Sequence, residues 1–184
     1  KKIMSAKART MHHHIEDCEM ENQPLFKNQI NMYSKIFDLF LNEYILAIFV
    51  FALTQSGKTG LMISIIKYWA EKCWKENAYI KMDHIYLITG LNSTDWKDQS
   101  KKRFPELLSK NIYHRGDLNS RANKKKNKSK KSFWKSIKDK KNCLIFIDEV
   151  QIAANGKTFK ESFSKCKILD NEYCFKHNIK FIEV

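Results

Sequence analysis

The chain has 184 residues, of which 43% are hydrophobic, 5 are glycine and 2 are proline, and its formal net charge is +14. This composition excludes a disordered or low-complexity chain and is sufficient for one domain with a substantial core. The positive charge favours a polyanionic partner such as nucleic acid.

The cysteines and the apolar runs indicate an intracellular protein. The 5 cysteines are odd in number and form no CxxC pair, which is typical of a reduced protein. The longest apolar run, Tyr44 to Leu53, is too short to span a bilayer, and no signal peptide opens the sequence. We therefore expect no membrane partner.

The predicted elements begin after an extension, residues 1–24, that is polar and is expected to be helical or loose. Residues Leu25 to Asn42 have apolar side chains at helical spacing, which predicts a helix that packs on the core. A strand from about Ala47 to Leu53 and a helix from about Lys58 to Glu76 follow.

The segment that joins this strand to this helix reads Ala-Leu-Thr-Gln-Ser-Gly-Lys-Thr. An apolar strand, a Gly-Lys-Thr loop and a helix form the layout of a phosphate-binding loop, or P-loop. Backbone N–H groups at the start of the helix would face the anion, where the helix dipole favours negative charge. Lys58 is predicted to reach the β- and γ-phosphates of ATP, and the Thr59 hydroxyl to ligate Mg²⁺. The predicted ATP-binding residues of the loop are Thr54, Gln55, Ser56, Gly57, Lys58 and Thr59.

The middle of the chain predicts two further strands. His84 to Thr89 is a buried strand, and the polar loop Gly90 to Thr94 leads into a helix from Asp95 to Phe104. Asn111 to His114 is a short strand. Arg115, directly after it, is a candidate contact for a nucleic-acid phosphate.

A basic segment from Arg121 to Lys141 contains a single acid, Asp139. It is either a nucleic-acid contact, through neutralisation of phosphates, or a solvated lysine-rich insertion, and both interpretations stay open. Phe133 and Trp134 are its only aromatic residues, so no stacking platform is expected.

A second chemical motif closes the next strand. Cys143 to Ile147 is continuously apolar, which is typical of a strand buried on both faces of a parallel sheet, and it ends in Asp148 and Glu149. The carboxyl end of such a strand is where α/β sheets bind ligands. Asp148 is predicted to hold Mg²⁺ and Glu149 to activate the attacking water. Residues Thr158 to Leu169 have a mixed pattern, and Ile179 to Val184 form a last strand.

Taken in order, these motifs resemble the first lobe of a superfamily 2 (DEAD-like) helicase or translocase. The resemblance rests on the loop from Ala52 to Thr59, the strand that ends at Thr89-Gly90, the Trp-Lys-Asp-Gln helix with Arg103-Phe104, and Ile147 to Gln151. It covers roughly Leu25 to Val184 and is nearest to ATPases of large DNA viruses and phages.

The resemblance implies an α/β fold, namely a P-loop NTPase (RecA-like) three-layer sandwich with a mostly parallel sheet over residues 25–184. It implies that Gln29 reads adenine and that Gln151 senses the γ-phosphate. It also implies ATP and Mg²⁺ as ligands, and a nucleic acid, DNA rather than RNA, that crosses Gly90, Leu91, Asn92, Ser93 and Thr94. The expected location is the cytoplasm, the nucleus or a viral factory.

The family's second lobe, with its arginine fingers, has no counterpart in this sequence, so a fragment with weak ATP turnover is expected. Gln55 replaces a common glycine, and the acidic motif reads Asp-Glu-Val-Gln, which leaves the subgroup open. Two other functions remain. One is a nuclease-coupled or DNA-packaging P-loop ATPase without strand separation. The other is a non-catalytic nucleic-acid-binding module with a vestigial ATP site, against which the complete set of Lys58, Thr59, Asp148 and Glu149 argues.

Overall fold

A computed structural model of the chain describes residues 27–42, 44–50, 57–75, 84–89, 94–104, 106–118, 133–149 and 157–184. The predicted N-terminal extension, residues 1–24, and the part of the basic segment from Arg121 to Lys131 lie outside these residues.

Within the described residues, five strands form one sheet in which every pair of neighbours is parallel. The strands are β1 Ala47–Phe49, β2 Ile85–Thr89, β3 Ile112–His114, β4 Cys143–Asp148 and β5 Ile179–Glu183. The spatial order is β1-β5-β4-β2-β3. Continuous burial of β2 and β4 agrees with their unbroken apolar sequences, since a parallel sheet is covered on both faces.

Helices cover both faces of the sheet. The described helices are α1 Lys27–Leu41, α2 Lys58–Lys75, α3 Thr94–Arg103, α4 Arg115–Leu118, α5 Phe133–Ile137, α6 Lys157–Lys165 and α7 Asn171–His177, and Glu106–Asn111 form a 3₁₀ helix. One apolar cluster joins α1, α2 and α3 to alternate strand residues such as Leu87 and Phe146, and a second joins α4 to α7 to the residues between them, such as Ile88 and Ile145. The prediction of an α/β fold with a parallel central sheet is therefore confirmed.

Three helices differ from the sequence-based expectations. The mixed region contains α6, which buries Phe159 and Phe163 at helical spacing. The unpredicted α7 is short, and it is capped by Asp170, whose side chain accepts from Tyr173 N, and by Asn178 in the left-handed conformation. The basic segment contains α5, whose Phe133 is fully buried, so this part of the segment belongs to the core.

Cys143, Cys166 and Cys174 are buried free thiols. None of the described helices has both the length and the apolar character that crossing a bilayer requires.

Candidate active site

The start of α2 is held by a side chain from α1. Gly57 has φ +82°, a left-handed conformation that favours glycine, and its carbonyl accepts both the first helical bond, from Leu61 N at 3.0 Å, and a bond from Gln29 Nε2 at 2.9 Å. Gln29 is buried, and a Cβ on Gly60 would lie 2.9 Å from its Nε2. The left-handed conformation therefore favours glycine at position 57, while the Gln29 amide packs against both glycines and supports the carbonyl of Gly57, directly before Lys58.

The carboxyl end of β4 carries a buried carboxylate. Asp148 is 8% exposed and pairs in register with Thr89 at the end of β2. Its Oδ2 accepts a hydrogen bond from Trp96 Nε1 on α3 at 3.2 Å. Its Oδ1 is buried and has no hydrogen-bond partner among the described residues. One oxygen of this carboxylate is thus anchored, and the other is left available as an acceptor.

The chain turns sharply at Glu149. Its φ of +57° places a non-glycine residue in the left-handed region, a cost that functional sites often carry. Its N–H donates to Val184 O at 3.1 Å, which holds the turn against β5. Glu149 Oε1 lies 3.8 Å from Lys58 Nζ. The structure therefore brings the predicted phosphate-binding lysine and the predicted base together at the carboxyl edge of the sheet.

Burial raises the pKa of Asp148 above its ordinary value of 3.8, and the charge of Glu149 acts in the same direction. The charge of Lys58, the hydrogen bond from Trp96 and an interaction with the backbone N–H of Glu149 oppose this rise without cancelling it. Because burial removes the carboxylate from water, its ionised form carries a desolvation cost. A bound cation would offset that cost.

The oxygen donors of this edge fit Mg²⁺. The described residues contain no group of three or more His, Cys, Asp or Glu side chains that could hold a metal ion. Mg²⁺, however, takes one or two protein oxygens and completes its shell with water and substrate phosphates. Asp148 Oδ1 and the hydroxyl of Thr59, in the first turn of α2, are donors of that kind.

Replacing Asp148 by Asn is expected to raise the free energy of unfolding at neutral pH, in EDTA and without nucleotide, by roughly 0.5–2 kcal/mol. Because the pKa of Asp148 is raised in the folded state, its protonated carboxyl group stabilises the folded parent chain below about pH 3.8. That contribution is lost as the pH rises through the folded-state pKa. The advantage of Asn should therefore be small near pH 4 and grow with pH, as urea unfolding across pH 4 to 8 would measure. A less stable Asn variant at pH 7 would contradict this account of Asp148.

Two described residues of the predicted nucleic-acid path lie at the same edge of the sheet. Thr94 begins α3, the helix that comes after β2, and Arg115 begins α4 directly after β3, which pairs with β2. A partly buried ion pair between Lys97 and Asp117 joins these two helices. The other predicted site residues lie outside the described part of the chain, namely Thr54, Gln55, Ser56, Gly90, Leu91, Asn92, Ser93 and Gln151.

The last lysines of the basic segment lie at the opposite edge of the sheet from the candidate site. Lys140 and Lys141 come just before β4, so they lie at the amino edge of the sheet, while Asp148 ends that strand. At about 3.3 Å per residue, β4 separates the two edges by roughly 20 Å. Any contact that Lys140 or Lys141 makes with nucleic acid is thus on a different surface from the path marked by Thr94 and Arg115.

The sequence interpretation missed two features of this site, the bond from Trp96 to Asp148 and the bond from Gln29 to Gly57. The position of Trp96, early in the helix after a neighbouring strand, was the signal available for the first. No protein-family model matches the sequence, and no curated protein or solved structure matches it.

Proposed function

We propose that the chain is the ATP-binding and ATP-hydrolysing lobe of a nucleic-acid helicase or translocase, with a RecA-like P-loop fold. The observation that carries this proposal is the approach of Lys58 Nζ to Glu149 Oε1 at 3.8 Å, together with the Oδ1 of buried Asp148, which has no hydrogen-bond partner among the described residues. Nucleotide hydrolysis needs a cation for the phosphates, a carboxylate for the metal and a base for water, and these three groups supply them.

ATP would bind across the carboxyl ends of the strands. Lys58 and the N–H groups at the start of α2 neutralise its phosphates, and Thr59 with Asp148 would hold Mg²⁺. When bound, Mg²⁺ neutralises charge on the phosphate oxygens. Glu149 orients a water molecule and accepts its proton, so that the oxygen attacks the γ-phosphorus and the bond to the β-phosphate oxygen breaks. Gln151 senses the γ-phosphate in this proposal, and Gln29, besides supporting Gly57, reads adenine.

Nucleic acid would follow the segment from Gly90 to Thr94 and pass Arg115, mainly through phosphate contacts and so with little dependence on sequence. DNA is the preferred ligand, in keeping with the family resemblance. A test is fluorescence anisotropy of a labelled single strand with and without Mg·ATP. The affinity for the labelled strand is expected to change when Mg·ATP is added, because the proposed ATP site and the proposed nucleic-acid path lie at the same edge of the sheet. Equal affinity in both conditions would remove the support for a translocase.

Replacing Arg115 by Ala is expected to weaken binding of all nucleic-acid sequences alike. The slope of log K against log salt should fall by about 0.7–0.9, because one phosphate contact is lost. The matched control is Arg103→Ala, which removes the same charge from the exposed far end of α3, about 14 Å along the helix from Thr94. If the two variants have equal slopes, Arg115 does not contact the strand.

A further inference from the structure

Trp96 connects the helix that follows the predicted nucleic-acid loop to the carboxylate predicted to hold Mg²⁺. It is the third residue of α3, its ring packs partly buried against the cluster shared by α1, α2 and α3, and its Nε1 lies 3.2 Å from Asp148 Oδ2. An indole N–H is a donor only, so this bond is made to an acceptor oxygen and favours the ionised carboxylate.

The bond determines which oxygen of Asp148 is available. Rotation of the carboxylate about its last bond would exchange Oδ1 and Oδ2, and the anchored Oδ2 opposes that rotation. Oδ1 is then the oxygen presented to a cation, and it is the atom without a partner among the described residues. Carboxylates that bind metals are themselves commonly held by such hydrogen bonds, and losing one typically lowers metal affinity by about 10–100-fold.

We propose that Trp96 is a positioning residue that orients Asp148 for Mg²⁺ through its indole N–H. The inference rests on the proposed ATP site and adds to it a residue that touches neither nucleotide nor metal. Removing the N–H while keeping the ring should lower the affinity of the site for Mg²⁺ and leave the P-loop contacts to the phosphates unchanged.

Two variants remove the N–H in different ways. Trp96→Phe keeps an aromatic ring in the cluster but is smaller. Replacement of Trp96 by benzothienylalanine keeps the size and shape of indole with sulfur in place of N–H. The matched control is Trp134→Phe, because Trp134 Nε1 is buried without a hydrogen-bond partner among the described residues and belongs to the cluster on the opposite face.

The experiment is isothermal titration of each variant of the 184-residue chain with the non-hydrolysable analogue AMPPNP, in EDTA and at a series of Mg²⁺ concentrations. Both Trp96 variants are expected to need about 10–100-fold more Mg²⁺ to reach the parental gain in affinity. Their affinity in EDTA should equal that of the parent, and Trp134→Phe should match the parent in both conditions. Circular dichroism verifies that the variants fold alike.

The outcomes separate this inference from the proposed function. A parent chain that binds AMPPNP in neither condition would overturn both. A parent with a clear Mg²⁺ dependence, and a benzothienylalanine variant with the same dependence, would overturn the role of Trp96 alone. A loss of affinity in EDTA as large as the loss in Mg²⁺ would also overturn it, because it would indicate a general disturbance of the site.

Discussion

Replacing Glu149 by Gln is expected to slow ATP hydrolysis by about 10²–10⁴-fold, the usual contribution of a general base, and to leave Mg·ATP binding intact. The amide cannot accept a proton from water, whereas Asp148 and Thr59 are unchanged. Lys58, which lies 3.8 Å from Glu149 Oε1, also loses a carboxylate that competes with phosphate for it. Binding of ATP should therefore be as tight as in the parent or tighter.

Single-turnover hydrolysis of radiolabelled ATP, with the chain in excess, would measure this effect even if turnover is slow. Glu172→Gln is the matched control, since Glu172 is exposed on α7, which packs on the opposite face of the sheet from α2. A Glu149→Gln variant that hydrolyses ATP at the parental rate would assign the base to another residue.

Replacing Lys58 by Ala is expected to remove measurable Mg·ATP binding while the fold is kept. Charge-assisted hydrogen bonds of this kind contribute about 1.5–3 kcal/mol each, and Lys58 is predicted to reach two phosphates. Lys58 begins α2 and lies outside both apolar clusters, so the core is not disturbed. Isothermal titration measures the binding and urea unfolding measures the stability.

The control for Lys58→Ala is Lys141→Ala, which removes an exposed lysine at the amino edge of the sheet. It should bind Mg·ATP like the parent. Equal affinities of the Lys58 variant and the parent would show that the Gly-Lys-Thr sequence at this position does not bind phosphate, and the ATPase proposal would fail with it.

Much of the fold could be predicted because its signals are local. Ile85 to Thr89 and Cys143 to Ile147 are unbroken apolar runs, and a parallel sheet buries such strands on both faces. Helix α2 follows from the Gly-Lys-Thr sequence and the apolar residues behind it. Helix α7 was missed because it is only 7 residues long, and the caps Asp170 and Asn178 define it more than any periodicity does.

The candidate site divides in the same way. Residue types and their place after a strand predicted Lys58, Asp148 and Glu149, which the structure brings to one edge of the sheet. The bond from Trp96 to Asp148 could not be predicted, because it depends on how α3 packs across the sheet. The left-handed backbone conformation of Glu149 could not be predicted either, since glutamate has no local preference for it.

The hydrogen bond from Gln29 to Gly57 has a consequence for transplanting this loop into other proteins. The eight residues Ala52 to Thr59 contain the recognisable motif, yet the amide that holds its turn comes from α1, a separate helix earlier in the chain. That helix is itself kept in place by Ile36, Phe37 and Phe40 in the core. A graft of the loop with its strand and following helix would contain the motif but would lack the hydrogen bond from Gln29 to Gly57. The shortest segment that could be transplanted together with this hydrogen bond therefore begins at α1, which precedes the motif in the sequence.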